Sequence, residues 1–172
     1  KINSLNPLFA TTESEKALSR LMFSTITTVD YSGHSGLGLA ESITSTENGR
    51  IWSIKLRDNL KWSDGEPLTN ADIIFTVDLI QNLNVKSSYD SNLAGVKVAE
   101  TEDGHITFTL PVAYADFDSA LNIPIVPKHI LENTDPKILI EDTFSIKPVT
   151  SGAFAFNATQ STNPNGEKII YL

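Results

Sequence analysis

The chain contains no cysteine, which removes disulfide frameworks, thiolate nucleophiles and zinc-thiolate sites together. It has no apolar run near the roughly 20 residues that a membrane-spanning helix needs. Its opening also lacks the charged start and apolar stretch of a secretion signal. The expectation is either a cytosolic protein or one whose targeting segment has been removed. Positive charge is scarce as well. Thirteen Lys and Arg stand against 21 Asp and Glu, for a formal net charge of -8, and no stretch gathers the cations into a stripe that could follow a phosphate backbone. This argues against nucleic acid as a partner. The same negative excess opposes docking of the protein body on an anionic membrane and promotes solubility. No internal repeat or low-complexity tract occurs.

What is present is the composition of one soluble globular domain: 172 residues, 40% hydrophobic and 20% charged, enough to bury a core without staples. Lys1 to Ala10, with Asn6-Pro7, shows no periodicity and reads as an extended entry segment and loop. Thr12 and Glu15 have capping-box spacing, and Ala17, Leu18, Leu21 and Met22 recur at helical intervals, predicting a helix over 14–23. Ile26 to Val29 predicts a strand ending in the turn formers Asp30-Tyr31-Ser32-Gly33. Glycines 33, 36 and 38 do not make a phosphate loop, because no Lys-Ser/Thr pair follows and Leu39 to Thr46 reads as a strand.

Arg50 to Arg57 alternates, with Trp52, Ile54 and Leu56 on one face and Ser53, Lys55 and Arg57 on the other. Glu47-Asn48-Gly49 before it is a hairpin signal, so strands 40–46 and 50–57 should pair antiparallel. Asp103-Gly104 predicts a second hairpin, between Val96 and Val98 on one side and Ile106, Phe108 and Leu110 on the other. Thr69 and Asp72 offer a cap to a helix over 70–83, with Ile73, Val77 and Ile80 as its stripe. Short helices follow near 117–121 and 128–132, each limited by prolines. Ser151-Gly152 marks a turn, Phe154 and Phe156 start a strand, Asn163-Pro164-Asn165-Gly166 turns again, and Lys168 to Leu172 reads as a last strand. Strands mixed with separated helices give an α+β domain with a largely antiparallel sheet, β-hairpins and packed helices.

From Trp52 to Phe75 the chain carries Leu56-Arg57-Asp58, Lys61-Trp62, Asp64-Gly65, Pro67, Thr69, Ala71-Asp72 and Phe75 in order. This run resembles the family 5 solute-binding proteins, the dipeptide and oligopeptide receptors of bacterial ABC transporters. Leu5-Asn6-Pro7, Gly38-Leu39-Ala40-Glu41-Ser42, Ile125-Val126-Pro127-Lys128-His129 and Pro148-Val149-Thr150-Ser151-Gly152 extend the resemblance over nearly the whole chain. Ala153 and Phe154 depart from the family's usual Pro and Tyr. Read on its residues alone, the run is a structural fingerprint: turns at Asp58-Asn59 and Asp64-Gly65, a cap at Thr69, and Trp62 packed under the next helix.

The resemblance implies the first lobe of a two-lobed, class II periplasmic-binding-protein-like fold. It assigns 1–172 to a single fragment, with 40–145 a hairpin-rich subdomain and 1–39 and 146–172 part of the main lobe sheet. Family members have a further strand and a signal peptide or lipid anchor ahead of Leu5-Asn6-Pro7, and a second lobe beyond, so the expectation is a chain that supplies part of a ligand cleft. The implied site residues are Thr11, Thr12 and Glu13, in the loop that meets ligand backbone, and Tyr89, where oligopeptide receptors place a tyrosine against bound peptide. Thr12 and Glu13 also read as a helix cap and its dipole partner, and Tyr89 as a tyrosine lying on the domain surface.

His34, His105 and His129 have no metal-ligand spacing, and no Gly-x-Ser-x-Gly elbow occurs, so neither a metal site nor catalysis is expected. The expected function is extracytoplasmic binding of a peptide for ABC-transporter uptake, in the periplasm or on the cell surface as a lipid-anchored monomer. Expected partners are the solute and the permease subunits, with no cofactor. The alternatives are the same frame holding a nickel complex, haem, a sugar or an opine, a non-catalytic interaction domain, or a small hydrolase, the last disfavoured by the missing motifs.

Overall fold

Glu47, Asn48 and Gly49 all take positive φ, at 51°, 57° and 85°, and reverse the chain between two strands. The computed structural model describes residues 2–161 and 168–172, with side chains outside 159–161 and 168–169. The turn expected at Asn163-Pro164-Asn165-Gly166 lies outside the described residues. In order, the elements are α1 (Glu13–Met22), β1 (Thr27–Val29), β2 (Ser35–Leu37), β3 (Ala40–Thr46), β4 (Ile51–Leu56), α2 (Asn70–Gln81), β5 (Lys97–Glu100), β6 (Ile106–Thr109), α3 (Phe117–Ala120), α4 (Lys128–Leu131), β7 (Ala158–Ser161) and β8 (Lys168–Tyr171).

Both expected hairpins form, and they join into one antiparallel sheet in the order β3-β4-β6-β5. Alternation sets its faces. Trp52 pairs with Phe108 and Ile54 with Ile106, all buried, while on the opposite face Lys55 meets Glu41 at 2.6 Å in solvent. Phe117 of α3 closes on Trp52 and Phe108, with ring centres 6.0 and 5.8 Å apart. Ile73, Val77 and Ile80 of α2 enter the same core, as does Trp62. The described residues hold two further antiparallel pairs, β1 with β2 and β7 with β8.

The fingerprint residues are joined by their backbone. Asn59 and Gly65 take positive φ, Trp62 donates to the Glu66 carbonyl at 2.8 Å, and Leu68 donates to the Leu60 carbonyl at 3.0 Å. Thr69 stands at the N-cap of α2, and the Asp72 carboxylate accepts its N–H at 2.8 Å. The other oxygen of buried Asp72 accepts from Lys128 N–H at 2.8 Å, which ties α2 to α4.

Two expectations about the sequence pattern do not hold. Of the stripe expected for α1, Met22 is buried and Leu18 packs half-buried against the core, but Ala17 and Leu21 are exposed and Glu15 and Ser19 are buried instead, because the face turned inward is the one that carries the capping carboxylate. The strand expected from Phe154 begins only at Ala158. The reason is that Ser151 and Gly152 donate to the Met22 carbonyl and Phe154 to the Leu21 carbonyl, at 3.0, 2.7 and 3.1 Å. Residues 151–154 thus satisfy the end of α1 and join no ladder.

Gly152 allows that approach: a Cβ there would stand 2.6 Å from the Leu21 carbonyl oxygen, among backbone atoms. Gly152→Ala is expected to lower stability by roughly 2 kcal/mol through overpacking, read as a fall in the urea midpoint at constant slope. An unchanged midpoint would mean that the end of α1 is not held this way.

Candidate functional site

The loops expected to carry the site are brought together by one carbonyl. Leu5 is anchored by its N–H on Ser145 O at 2.8 Å, and fully buried Asn6 accepts Leu8 N–H at 3.1 Å, with Pro7 opening a single 3-10 turn over Pro7–Phe9. The Leu8 carbonyl at the centre of that turn accepts the Ser88 N–H and the Ser87 hydroxyl, both at 3.2 Å. Tyr89 is therefore hung beside the segment that leads to Thr11.

Glu15 fixes the other side. Its carboxylate is 3% exposed and accepts N–H groups from Asn3 at 2.7 Å and from Thr11 and Thr12 at 3.0 Å, with the Thr11 hydroxyl at 3.3 Å. Thr12 completes the capping box by accepting Glu15 N–H at 3.3 Å. Burial pushes this carboxyl up, but the N–H donors of Thr12, Asn3 and Thr11 and the Thr12 hydroxyl outweigh it and bring its pKa from the ordinary 4.5 to about 2.

Between these segments lies an open cavity of about 450 Å³. Ala10 and Thr11 form one edge, and Ser88 and Tyr89 another. Lys16, Ser19 and Arg20 of α1, with Phe23 just after it, line its side, and Thr25, Asn122 and Pro124 complete it. Tyr89 is half-buried and packs against the core, and this burial raises its phenol pKa, countered in part by the charge of Arg20. Of the four residues named from the sequence, Thr11 and Tyr89 line this cavity. Thr12 is the helix N-cap just outside it, and exposed Glu13 pairs with Lys16 at 3.0 Å.

The family model described as bacterial extracellular solute-binding proteins, family 5 Middle, matches residues 36–171. The chain belongs to family 5. The oligopeptide-binding protein AppA of Bacillus subtilis is 31% identical over 155 residues, covering 88% of this chain and 28% of that protein. AppA solved in complex with a nonapeptide superposes with a TM-score of 0.81 at 30% identity, covering 89% of this chain and 31% of that one. NikZ from Campylobacter jejuni, in complex with Ni(L-His), gives 0.80 at 30% identity and covers 91% of this chain and 31% of that one. This chain therefore spans less than a third of the length of these relatives.

Within this family 5 chain, Lys16, Arg20, Ser88 and Asn122 are among the cavity residues that sequence reasoning missed. Lys16 and Arg20 had a signal available, since they are four apart on the polar side of a predicted helix; Asn122 had none. Two stretches quoted for the resemblance also meet in space, where His129 Nε2 lies 2.8 Å from Asp64 Oδ2 and its ring stands 6.3 Å from Trp62. Asp64 is desolvated there, but His129 and the Glu66 N–H hold its pKa below the ordinary value. Among the described residues no group of three His, Cys, Asp or Glu is gathered for a metal, and no helix is long and apolar enough to cross a membrane.

Because folding lowers the Glu15 pKa, its contribution is fully present above pH 4.5 and is lost as pH falls from there towards 2. The size is on the order of 3 kcal/mol. Urea unfolding of Glu15→Gln across pH should show a large deficit against the parent at pH 6 that narrows below pH 4. A deficit independent of pH would contradict the assignment.

Proposed function

We propose that this chain forms one wall of a solute-binding cleft that takes up peptides for delivery to an ABC-transporter permease outside the cytoplasm. The observation that carries the reading is the sharing of one cavity by Thr11, on the pinned loop before α1, and Tyr89. A peptide offers backbone groups in every residue, so a wall that holds a tyrosine ring and polar edges can bind it without reading one side chain. Thr11, Tyr89 and, beside them, Thr12 and Glu13 are the ligand-facing set. Binding is non-catalytic, and closure of an opposite wall over the peptide distinguishes the loaded form from the empty one. The protein acts as a monomer, held at the cell surface by lipid or free in the periplasm. The four-stranded sheet lies wholly inside 40–145, which supports a hairpin-rich subdomain there, with 1–39 and 146–172 belonging to the main lobe sheet.

A second reading, a nickel chelate as solute, is favoured by the likeness to NikZ. Such a solute would bring its own ligands. Isothermal titration of the full-length gene product with a mixed peptide pool and with nickel-histidine separates the two. Heat with peptides, weakened roughly tenfold in Tyr89→Ala at a temperature where the variant's own melting curve shows it folded, is the expected result. Binding of nickel-histidine alone would replace the peptide reading, and full peptide affinity in Tyr89→Ala would remove Tyr89 from the site.

A further inference from the structure

The chain carries a net charge of -8, yet among the described residues the cavity by Tyr89 is lined by two cations and no carboxylate. Lys16 and Arg20 are one helical turn apart on α1, so both face the cavity from the same side. The carboxylates nearest in sequence are occupied. Glu15 is buried and turned to three backbone N–H groups, and Glu13 reaches only Lys16, with its own side chain 84% exposed. Arg20 makes no ion pair or hydrogen bond among the described residues, and the group its charge acts on is the Tyr89 phenol across the cavity. A guanidinium left without a carboxylate in a chain with so many to offer is a donor set waiting for an anion.

We infer that Arg20, assisted by Lys16, forms a carboxylate subsite that selects acidic peptides, holding a Glu or Asp side chain of the bound peptide beside Tyr89. The guanidinium fork suits a carboxylate in two-point contact, and Lys16 can leave its exposed pair with Glu13 at little cost. This inference rests on the peptide-binding reading and goes beyond it by naming the peptide's chemistry.

The test uses the full-length gene product and two synthetic pentapeptide pools that differ only in Glu against Gln at each position. The parent should prefer the Glu pool roughly tenfold, and the preference should shrink as salt rises. Arg20→Gln should lose most of that ratio at an unchanged melting temperature, since Arg20 is exposed and makes no ion pair or hydrogen bond among the described residues. Lys137→Gln, an exposed lysine far along the chain that does not line the cavity, should keep the ratio. Equal affinity for both pools in the parent, or an unchanged ratio in Arg20→Gln, overturns the subsite and leaves peptide binding intact. Binding of neither pool overturns both.

Discussion

A carboxylate taken out of water stays charged only where donors replace the water, and Glu15 is surrounded in this way by the N–H groups of Asn3, Thr11 and Thr12. Those donors come from both sides of the Pro7–Phe9 turn. One side chain thereby fixes the entry segment, the loop at the cavity edge and the first turn of α1 in a single arrangement. The cavity depends on it, because Ala10 and Thr11 form one edge and the Leu8 carbonyl between the pinned points carries the Ser87-Ser88-Tyr89 segment.

The rest of the molecule supports that arrangement from behind. The far end of α1 is satisfied by Ser151, Gly152 and Phe154, while α4 is joined to α2 through Asp72 with Lys128 and to the segment before α2 through Asp64 with His129. The Trp52 to Phe75 run belongs to this support. It contributes turns, a cap and two buried tryptophans, and none of its residues lines the cavity.

Local chemistry was legible in the sequence wherever the cause was local. Asn48-Gly49 and Asp103-Gly104 form their hairpins, alternation sets the faces of β4 and β6, and α2 buries the stripe of Ile73, Val77 and Ile80. What was not legible came from long-range contacts. The hydrophobic pattern of α1 pointed to Ala17, Leu18, Leu21 and Met22, but a buried acid set the inward face and left Ala17 and Leu21 outside it. Phe154 had the look of a strand residue until the carbonyls of α1 claimed its backbone. Of the cavity, the resemblance supplied only Thr11 and Tyr89, while Arg20 and Asn122 become neighbours only once the chain has folded.

Glu15 thus holds the cavity edge. Amide hydrogen exchange compared between the parent and Glu15→Gln at pH 6 tests it most directly. The amides of Asn3, Thr11 and Thr12 should lose protection together in the variant, while those of β4 and β6 stay slow. Protection at Thr11 and Thr12 that survives the substitution would contradict the claim, since it would mean that something other than this carboxylate keeps the loop in place.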